Sequence, residues 1–105
     1  MKFEEINKHA DSLLQAVNQT KNKVTTQSNR KNLDTVITLV NRIKNNDLEA
    51  RHELKGLFIA KSNNSDATSD VSFMEVHIDG LARPLQWYID QLIEAVENYL
   101  GYRII

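Results

Sequence analysis

The chain has little of what several protein classes depend on. It contains no cysteine, one proline and three glycines among 105 residues. The lack of cysteine excludes disulfides and thiolate metal ligands. The scarcity of proline and glycine argues against sandwiches and barrels, which need many tight turns, and favours helices. No apolar run approaches the roughly 20 residues that span a bilayer. The opening stretch, MKFEEINKHADSLL, has acidic residues where a signal peptide would be apolar. We therefore expect a cytoplasmic protein without a transmembrane segment.

Length and charge indicate one ordinary globular unit. We predict that residues 1–105 form a single helical domain. The net charge of −1 is unevenly spread. Residues 1–46 carry eight basic and four acidic residues, and residues 47–105 carry five and ten. We interpret this as two halves that complement each other when packed, and the alternative is a dipolar molecule that steers its partners.

Apolar residues at steps of three and four predict two helices, from about Lys2 to Thr25 and from about Arg30 to Lys44. The buried stripe of the first comprises Phe3, Ile6, Ala10, Leu13, Val17, Thr20 and Val24. That of the second comprises Leu33, Val36, Ile37, Val40 and Ile43. Ser28 or Asn29 is expected to cap the second helix.

A third helix is expected after Asp47, although Gly56 weakens it. Residues 57–62 fit either its end or an extended segment. Residues 63–70 have loop composition throughout, so we predict a mobile loop at about 62–70.

The last third keeps one apolar register across 73–100. Its members are Met74, Ile78, Leu81, Leu85, Tyr88, Leu92, Val96 and Tyr99. Pro84 cannot donate to the carbonyl of Gly80, and its ring would crowd that turn of a helix. We predict one long helix, kinked near Gly80–Pro84 and ended by Gly101. The fold class is then all-α, a small antiparallel bundle of about four helices.

An alternative assigns strands to part of this region. Within 72–78, Met74, Val76 and Ile78 alternate with Phe73, Glu75 and His77 as in a strand, and the Asp-Gly pair at 79–80 fits a turn. Paired with 57–62, this segment would form a β-hairpin in an α+β fold. We favour the helix because Ser72 and Glu75 have the spacing of a capping box. Two strands alone are also marginally stable unless something covers them.

No catalytic, metal or nucleotide motif is evident. Glu5 and Glu49 are spaced to share helix faces with His9 and His52, but two ligands do not make a metal site, and His77 stands apart. No nucleophile elbow or glycine-rich phosphate loop is present. We expect no enzyme, no cofactor and no metal. The alternative is an enzyme that combines a histidine with carboxylates from other helices, and histidines dispersed over the surface would argue against it.

Trp87 is the most informative single residue. On the last helix it falls about 160° from the centre of the buried arc, and a solvent-facing tryptophan is a common interface anchor. Otherwise the Trp87 side chain covers the predicted kink or packs under the predicted loop. The apolar tail either folds back or docks into another chain. The candidate partner-binding residues are Trp87, Gln91, Tyr102, Arg103, Ile104 and Ile105. We expect Trp87→Ala to weaken partner binding and leave thermal stability nearly unchanged.

Basic residues also gather at the turn between the first two helices. Lys21, Lys23, Arg30 and Lys31 would meet there and form a phosphate-contacting patch. No aromatic residues interleave with them, so we favour a solvated end of the bundle. A nucleic-acid-binding regulator is the alternative function.

The leading hypothesis is a non-enzymatic protein–protein interaction module that binds and neutralises or regulates a macromolecular partner. The heptad spacing also permits self-association. In size and predicted architecture the chain resembles the bacteriocin immunity proteins of Gram-positive bacteria, which are four-helix bundles with functional C-terminal ends. This resemblance rests on architecture alone. A phage-encoded inhibitor of a host protein fits the same features.

Overall fold

The computed structural model describes residues 3–63, 71 and 74–104, of which 58–63 and 102–104 are described as backbone only. Within these residues the chain forms four helices and one two-stranded antiparallel sheet. In chain order the elements are α1 (Phe3–Lys23), α2 (Gln27–Lys44), α3 (Ala50–Asn63), β1 (Glu75–Ile78), β2 (Leu81–Pro84) and α4 (Leu85–Ile104). The mostly helical prediction is confirmed, but the fold is a set of helices with a β-hairpin and not a pure bundle.

The first two helices follow the predicted apolar stripes. Ile6, Leu13 and Val17 of α1 are fully buried. The interior of α2 is equally apolar, but the helix begins three residues earlier than predicted. Thr26 has extended backbone angles and occupies the N-cap position without a side-chain cap. Asn29, one of the two predicted caps, is instead buried within the first turn.

Helix α3 runs through Gly56 to Asn63, so the extended alternative for residues 57–62 is wrong. Arg42 at the end of α2 anchors the connection to α3 by donating to Asp47 at 2.8 Å and to Glu53 at 2.7 Å. These two hydrogen bonds raise the pKa of Arg42 above its ordinary value. Of the predicted loop, residues 62–63 belong to α3, and 64–70 lie outside the described residues.

The predicted long kinked helix is wrong in its first half, where β1 and β2 form a hairpin. Asp79 and Gly80 have φ angles of 53° and 80°. Two successive positive φ values make the primed turn that suits a two-residue hairpin loop, and glycine adopts the second without a steric penalty. Pro84 ends β2 and α4 begins at the next residue, so the chain breaks where a kink was predicted.

The β-hairpin alternative was half correct. The strand at 75–78 exists, but its partner is 81–84 and not 57–62. Residues 72–73 lie outside the described residues. The backbone N–H of Leu85 donates to the carbonyl of Met74 at 2.9 Å, which closes the open end of the hairpin.

Two contacts with the helices give the hairpin the cover that isolated strands lack. Val76 and Ile78 point inward and are 0% and 8% exposed. On the outer edge of β1, the amide of Gln19 donates to the carbonyl of His77 at 2.7 Å. The same amide accepts from the N–H of His77 at 3.1 Å. A side chain of α1 therefore takes the place of a third strand beside β1.

Helix α4 is the wall against which α1 packs. Leu85, Leu92 and Val96 are fully buried, as the apolar register predicted. The rings of Phe3 and Tyr99 meet edge to face, 5.7 Å apart, so the start of α1 lies beside the end of α4 and the two helices are antiparallel. No helix in the described part of the chain combines the length and apolar character needed to cross a membrane.

Candidate functional site

A groove of about 260 Å³ opens between α1, the tip of the hairpin and α4. We call it the hairpin groove. The residues of its walls that matter below are Lys8 and His9 of α1, Leu81 and Arg83 of β2, and Trp87 and Gln91 of α4. The adjoining elements β2 and α4 and the distant helix α1 thus contribute to one concave surface.

The hairpin places the β2 side chains over the groove. In an antiparallel pair, directly opposite residues share a face of the sheet. Leu81 lies opposite Ile78 and Arg83 lies opposite Val76, so both face inward like their partners. The β1 side of this face is buried in the core, whereas Leu81 reaches the groove and is 52% exposed. It is the only large apolar side chain among those described that is largely exposed.

Arg83 and Trp87 form a stacked pair at the junction of β2 and α4. The guanidinium carbon of Arg83 lies 4.1 Å from the centre of the Trp87 ring. Tyr88 meets the same indole edge to face, with ring centres 4.9 Å apart. A cation–π contact of this kind contributes about 0.5–1 kcal/mol at an exposed site. The indole is therefore held in place and half-buried, neither free in solvent nor part of the core.

The charge of Arg83 is not neutralised by any described part of the chain. Its Nε is buried without a hydrogen-bond partner, and no described carboxylate forms an ion pair with its guanidinium. Lys8 adds a second positive charge to the groove and Asp79 a single negative one. The groove thus combines apolar surface with a net positive charge.

Two of the predicted partner-binding residues line this groove. Trp87 and Gln91 are four residues apart on α4 and share one face of the helix. Trp87 lies beside the junction of β2 and α4, which stands where the sequence predicted a kink. Its position therefore corresponds to the alternative in which Trp87 covers the kink. The backbone of Tyr102, Arg103 and Ile104 continues α4 beyond Gly101, so the predicted helix end at Gly101 is wrong. The side chains of these three residues, and Ile105, lie outside the described part.

Sequence reasoning missed the contributions of β2 and α1. Leu81 was counted in the buried stripe of the supposed helix, and Arg83 was not singled out. The signal that identifies both is the Asp-Gly turn at 79–80. Counting outward from that turn places Leu81 and Arg83 on the same face as Ile78 and Val76.

The four basic residues of the α1–α2 connection mostly have structural contacts. Lys21 pairs with Asp34 at 2.6 Å. Arg30 donates to the carbonyls of Lys21 and Val24, each at 3.0 Å, and so satisfies the C-terminal end of α1. Lys23 lies 3.5 Å from the carbonyl of Glu75. Lys31 is exposed on α2. These contacts support the interpretation as a solvated end of the bundle.

The three histidines lie on three different elements. His9 lines the hairpin groove. His52 of α3 lies 3.5 Å from Glu49, and His77 of β1 lies 3.4 Å from Glu75. The described residues contain no group of three or more histidines and carboxylates that could hold a metal ion.

No protein-family model matches the sequence, and neither the curated proteins nor the solved structures include a match. The chemistry of the hairpin groove is therefore the basis for a functional proposal. An apolar side chain fits against Leu81 and Trp87, and an acceptor oxygen fits the guanidinium of Arg83. His9 and Gln91 add polar side chains to the walls.

Proposed function

We propose that the chain is a small non-enzymatic protein–protein interaction module. It binds a macromolecular partner through the hairpin groove and thereby neutralises or regulates that partner. The observation that carries the proposal is the cluster of Leu81, Arg83 and Trp87, which sets an exposed apolar side chain beside an unneutralised arginine stacked on an indole. Tryptophan and arginine dominate the energetics of protein interfaces.

The size of the groove favours a protein partner over a small ligand. Pockets for drug-sized molecules enclose about 300–1,000 Å³ and bury most of the ligand. The hairpin groove, at about 260 Å³, lies just below that range and opens to solvent beside Leu81. It accommodates one or two side chains of a larger surface. The surrounding residues would supply the rest of the contact area. Helix α4 carries Tyr102, Arg103 and Ile104 at the opposite end from Trp87, and we propose these residues and Ile105 as a separate contact with the same partner.

Two biological forms of this proposal fit the chain. One is an immunity protein, the class to which the size and the predicted helical architecture of the chain are similar. The other is a phage-encoded inhibitor that occupies a host protein. In either form the module acts in the cytoplasm by covering a surface of its partner. Self-association would be a separate property, and analytical ultracentrifugation of the isolated chain measures it.

Site-specific photo-cross-linking tests the proposal. Leu81 is replaced by the photoreactive p-benzoylphenylalanine, which its exposed side chain position tolerates. A matched control carries the same group at Thr38, which is exposed on α2 and does not line the groove. Both full-length proteins are irradiated in an extract of the source cell. We expect one protein adduct of discrete mass from position 81 and none of that mass from position 38.

Competition establishes whether the adduct reflects the groove. An excess of the unmodified chain should abolish it, whereas an excess of Trp87→Ala should compete much less well. The recovered partner is then purified and its own activity is assayed with and without the chain. Equal labelling from positions 38 and 81, or no adduct from position 81, would contradict the proposed function.

A further inference from the structure

The outer edge of β2 presents backbone groups that no described residue pairs. In an antiparallel ladder, directly opposite residues alternate between pairs that bond to each other and pairs that both point away. His77 bonds to the Gln19 side chain on the side away from β2. Ala82, which lies opposite His77, must therefore direct its N–H and C=O away from β1. Ala82 is exposed.

The two edges of the sheet thus differ in whether a described residue pairs with their backbone groups. The amide of Gln19 occupies the edge of β1. Proteins usually block a free edge with charge, proline, a bulge or a covering element, because an open edge recruits other strands. On β2, Pro84 removes a single N–H at the end of the strand, and both groups of Ala82 remain without a partner among the described residues. An open edge beside an exposed Leu81 is the arrangement that strand addition uses.

Charge indicates what kind of strand would bind. Arg83 has a buried Nε without an acceptor and no described carboxylate partner. Lys8 lies across the groove from the hairpin, and among the described residues that line the groove Asp79 is the only carboxylate. The buried Nε itself is out of a partner's reach, but the charge of the guanidinium is unpaired among the described residues. A charged donor gains most from a carboxylate, since charge-assisted hydrogen bonds are about twice as strong as neutral ones. The complement of this edge is therefore acidic.

We propose that an extended acidic segment of a partner protein adds to β2 as a third strand. Its backbone exchanges two hydrogen bonds with Ala82, and one of its carboxylates binds Arg83. This inference rests on the proposed function and specifies how the partner binds.

The alternation of side chains defines the recognised pattern. The partner residue opposite Ala82 points to the outer face of the sheet, away from the groove. Its two neighbours point inward, one beside Leu81 and the other beside Arg83. The segment therefore carries one apolar and one acidic residue separated by a single position. Antiparallel addition requires the acidic residue first, and parallel addition requires the apolar residue first.

A peptide array measures this pattern directly. The probes are immobilised decapeptides of alternating valine and threonine, in which two positions separated by one residue are varied through all pairs of side-chain types. The full chain is applied at low ionic strength. We expect the strongest binding from pairs of one acidic and one apolar residue, and weaker binding when lysine replaces the acid. A preference for basic peptides, or no binding to any peptide, would overturn the inference.

Backbone amide exchange locates the bound peptide. The best acidic peptide is added to the nitrogen-15-labelled full chain at a concentration that occupies nine-tenths of it. If the peptide pairs with β2, exchange of the Ala82 N–H slows roughly tenfold, because only the free fraction exchanges. Unchanged exchange at Ala82 in the presence of bound peptide would refute strand addition.

Two substitutions at one position separate strand addition from other modes of binding. Ala82→Pro removes the outward N–H at an edge position, where proline is tolerated. Ala82→Val keeps the N–H. We expect the proline variant to lose at least roughly tenfold in peptide affinity and the valine variant to retain it, with similar thermal unfolding for both. Equal affinity of the two variants would contradict the proposal.

Failure of strand addition can be distinguished from failure of the proposed function. A partner could cross-link at position 81 and still bind Ala82→Pro as tightly as it binds the unmodified chain. That result would support the interaction module and contradict strand addition. Absence of any adduct at position 81 overturns the module itself.

Discussion

Removing the Gln19 amide should detach the hairpin from α1. Gln19→Ala deletes both hydrogen bonds to His77, of 2.7 and 3.1 Å. The substitution leaves the backbone groups of His77 without their described partner. Because Gln19 is only half-buried, water can reach the exposed groups of His77 and recover part of the loss.

The expected cost follows from these two bonds. A typical intramolecular hydrogen bond contributes about 0.5–1.5 kcal/mol net. Two bonds in a partly solvated site should therefore contribute roughly 1–2 kcal/mol. Alanine is a slightly better helix former than glutamine, which offsets only a few tenths of this amount. For a domain of this size, 1 kcal/mol corresponds to about 4–8 °C in Tm.

Urea unfolding of Gln19→Ala measures the free energy of unfolding, and amide exchange of His77 measures the local effect. Gln19→Glu is the matched control, because a carboxylate still accepts from the His77 N–H but cannot donate to its carbonyl. We expect the stability of Gln19→Glu to lie between those of Gln19→Ala and the native chain, and the His77 N–H to exchange faster in Gln19→Ala than in Gln19→Glu. If the free energy of unfolding of Gln19→Ala stays within about 0.3 kcal/mol of native, roughly the size of the propensity offset alone, and His77 exchange is unchanged, then Gln19 does not hold the hairpin on α1.

Three further substitutions test the core, the turn and the stacked pair. Gly80→Ala places a side chain at φ 80° and should destabilise by roughly 1–2 kcal/mol in thermal unfolding; an unchanged Tm would contradict the primed turn. Leu92→Ala, at a fully buried position, should cost about 2–5 kcal/mol in urea unfolding, and a loss below 1 kcal/mol would place Leu92 outside the core. Trp87→Ala removes contacts with Arg83 and Tyr88 and should cost roughly 1–2 kcal/mol. This differs from the near-zero effect that sequence reasoning predicted, and Trp87→Phe should restore part of it.

The sequence predicts the fold correctly where the apolar residues fit a single periodicity. In α1, the apolar stripe from Ile6 to Val17 has only the helical period, and the structure buries it. In α2, the same period held, but the start of the helix was misplaced because Thr26 adopts the cap conformation without a side-chain bond. Such a cap leaves no signal in the residue types beyond the threonine itself.

The hairpin escaped prediction because two geometries produce the same spacing. Across a two-residue turn, the inward-facing opposite pairs are Ile78 with Leu81 and Val76 with Arg83. Their separations along the chain are three and seven residues, which are also the separations that share a face of a helix. The predicted register passes through the first of these pairs, Ile78 and Leu81, and the spacing of that pair does not distinguish a helix from a hairpin. The local signals for a hairpin are the Asp-Gly pair and Pro84. The unbroken apolar register favoured a helix over these signals.

The candidate site was predictable only where it depends on α4. Trp87 and Gln91 follow from the helical period of the last segment. The contribution of Leu81 and Arg83 depends on the hairpin, and that of Lys8 depends on how α1 packs beside it. The contribution of Leu81 and Arg83 follows only if the local Asp-Gly pair is interpreted as a hairpin turn. The contribution of Lys8 does not follow from any local pattern, because α1 is distant along the chain.

The most direct test of the account is the affinity of the purified partner, measured by calorimetry, for two variants that each remove one positive charge. Arg83→Gln changes the hairpin groove, and Lys31→Gln changes the exposed basic turn. Central arginines in interfaces contribute about 2 kcal/mol or more, so Kd should rise by roughly 30-fold for Arg83→Gln and stay within about twofold for Lys31→Gln. The reverse result, with Lys31→Gln weakening the complex and Arg83→Gln leaving it intact, would contradict the assignment of binding to the groove.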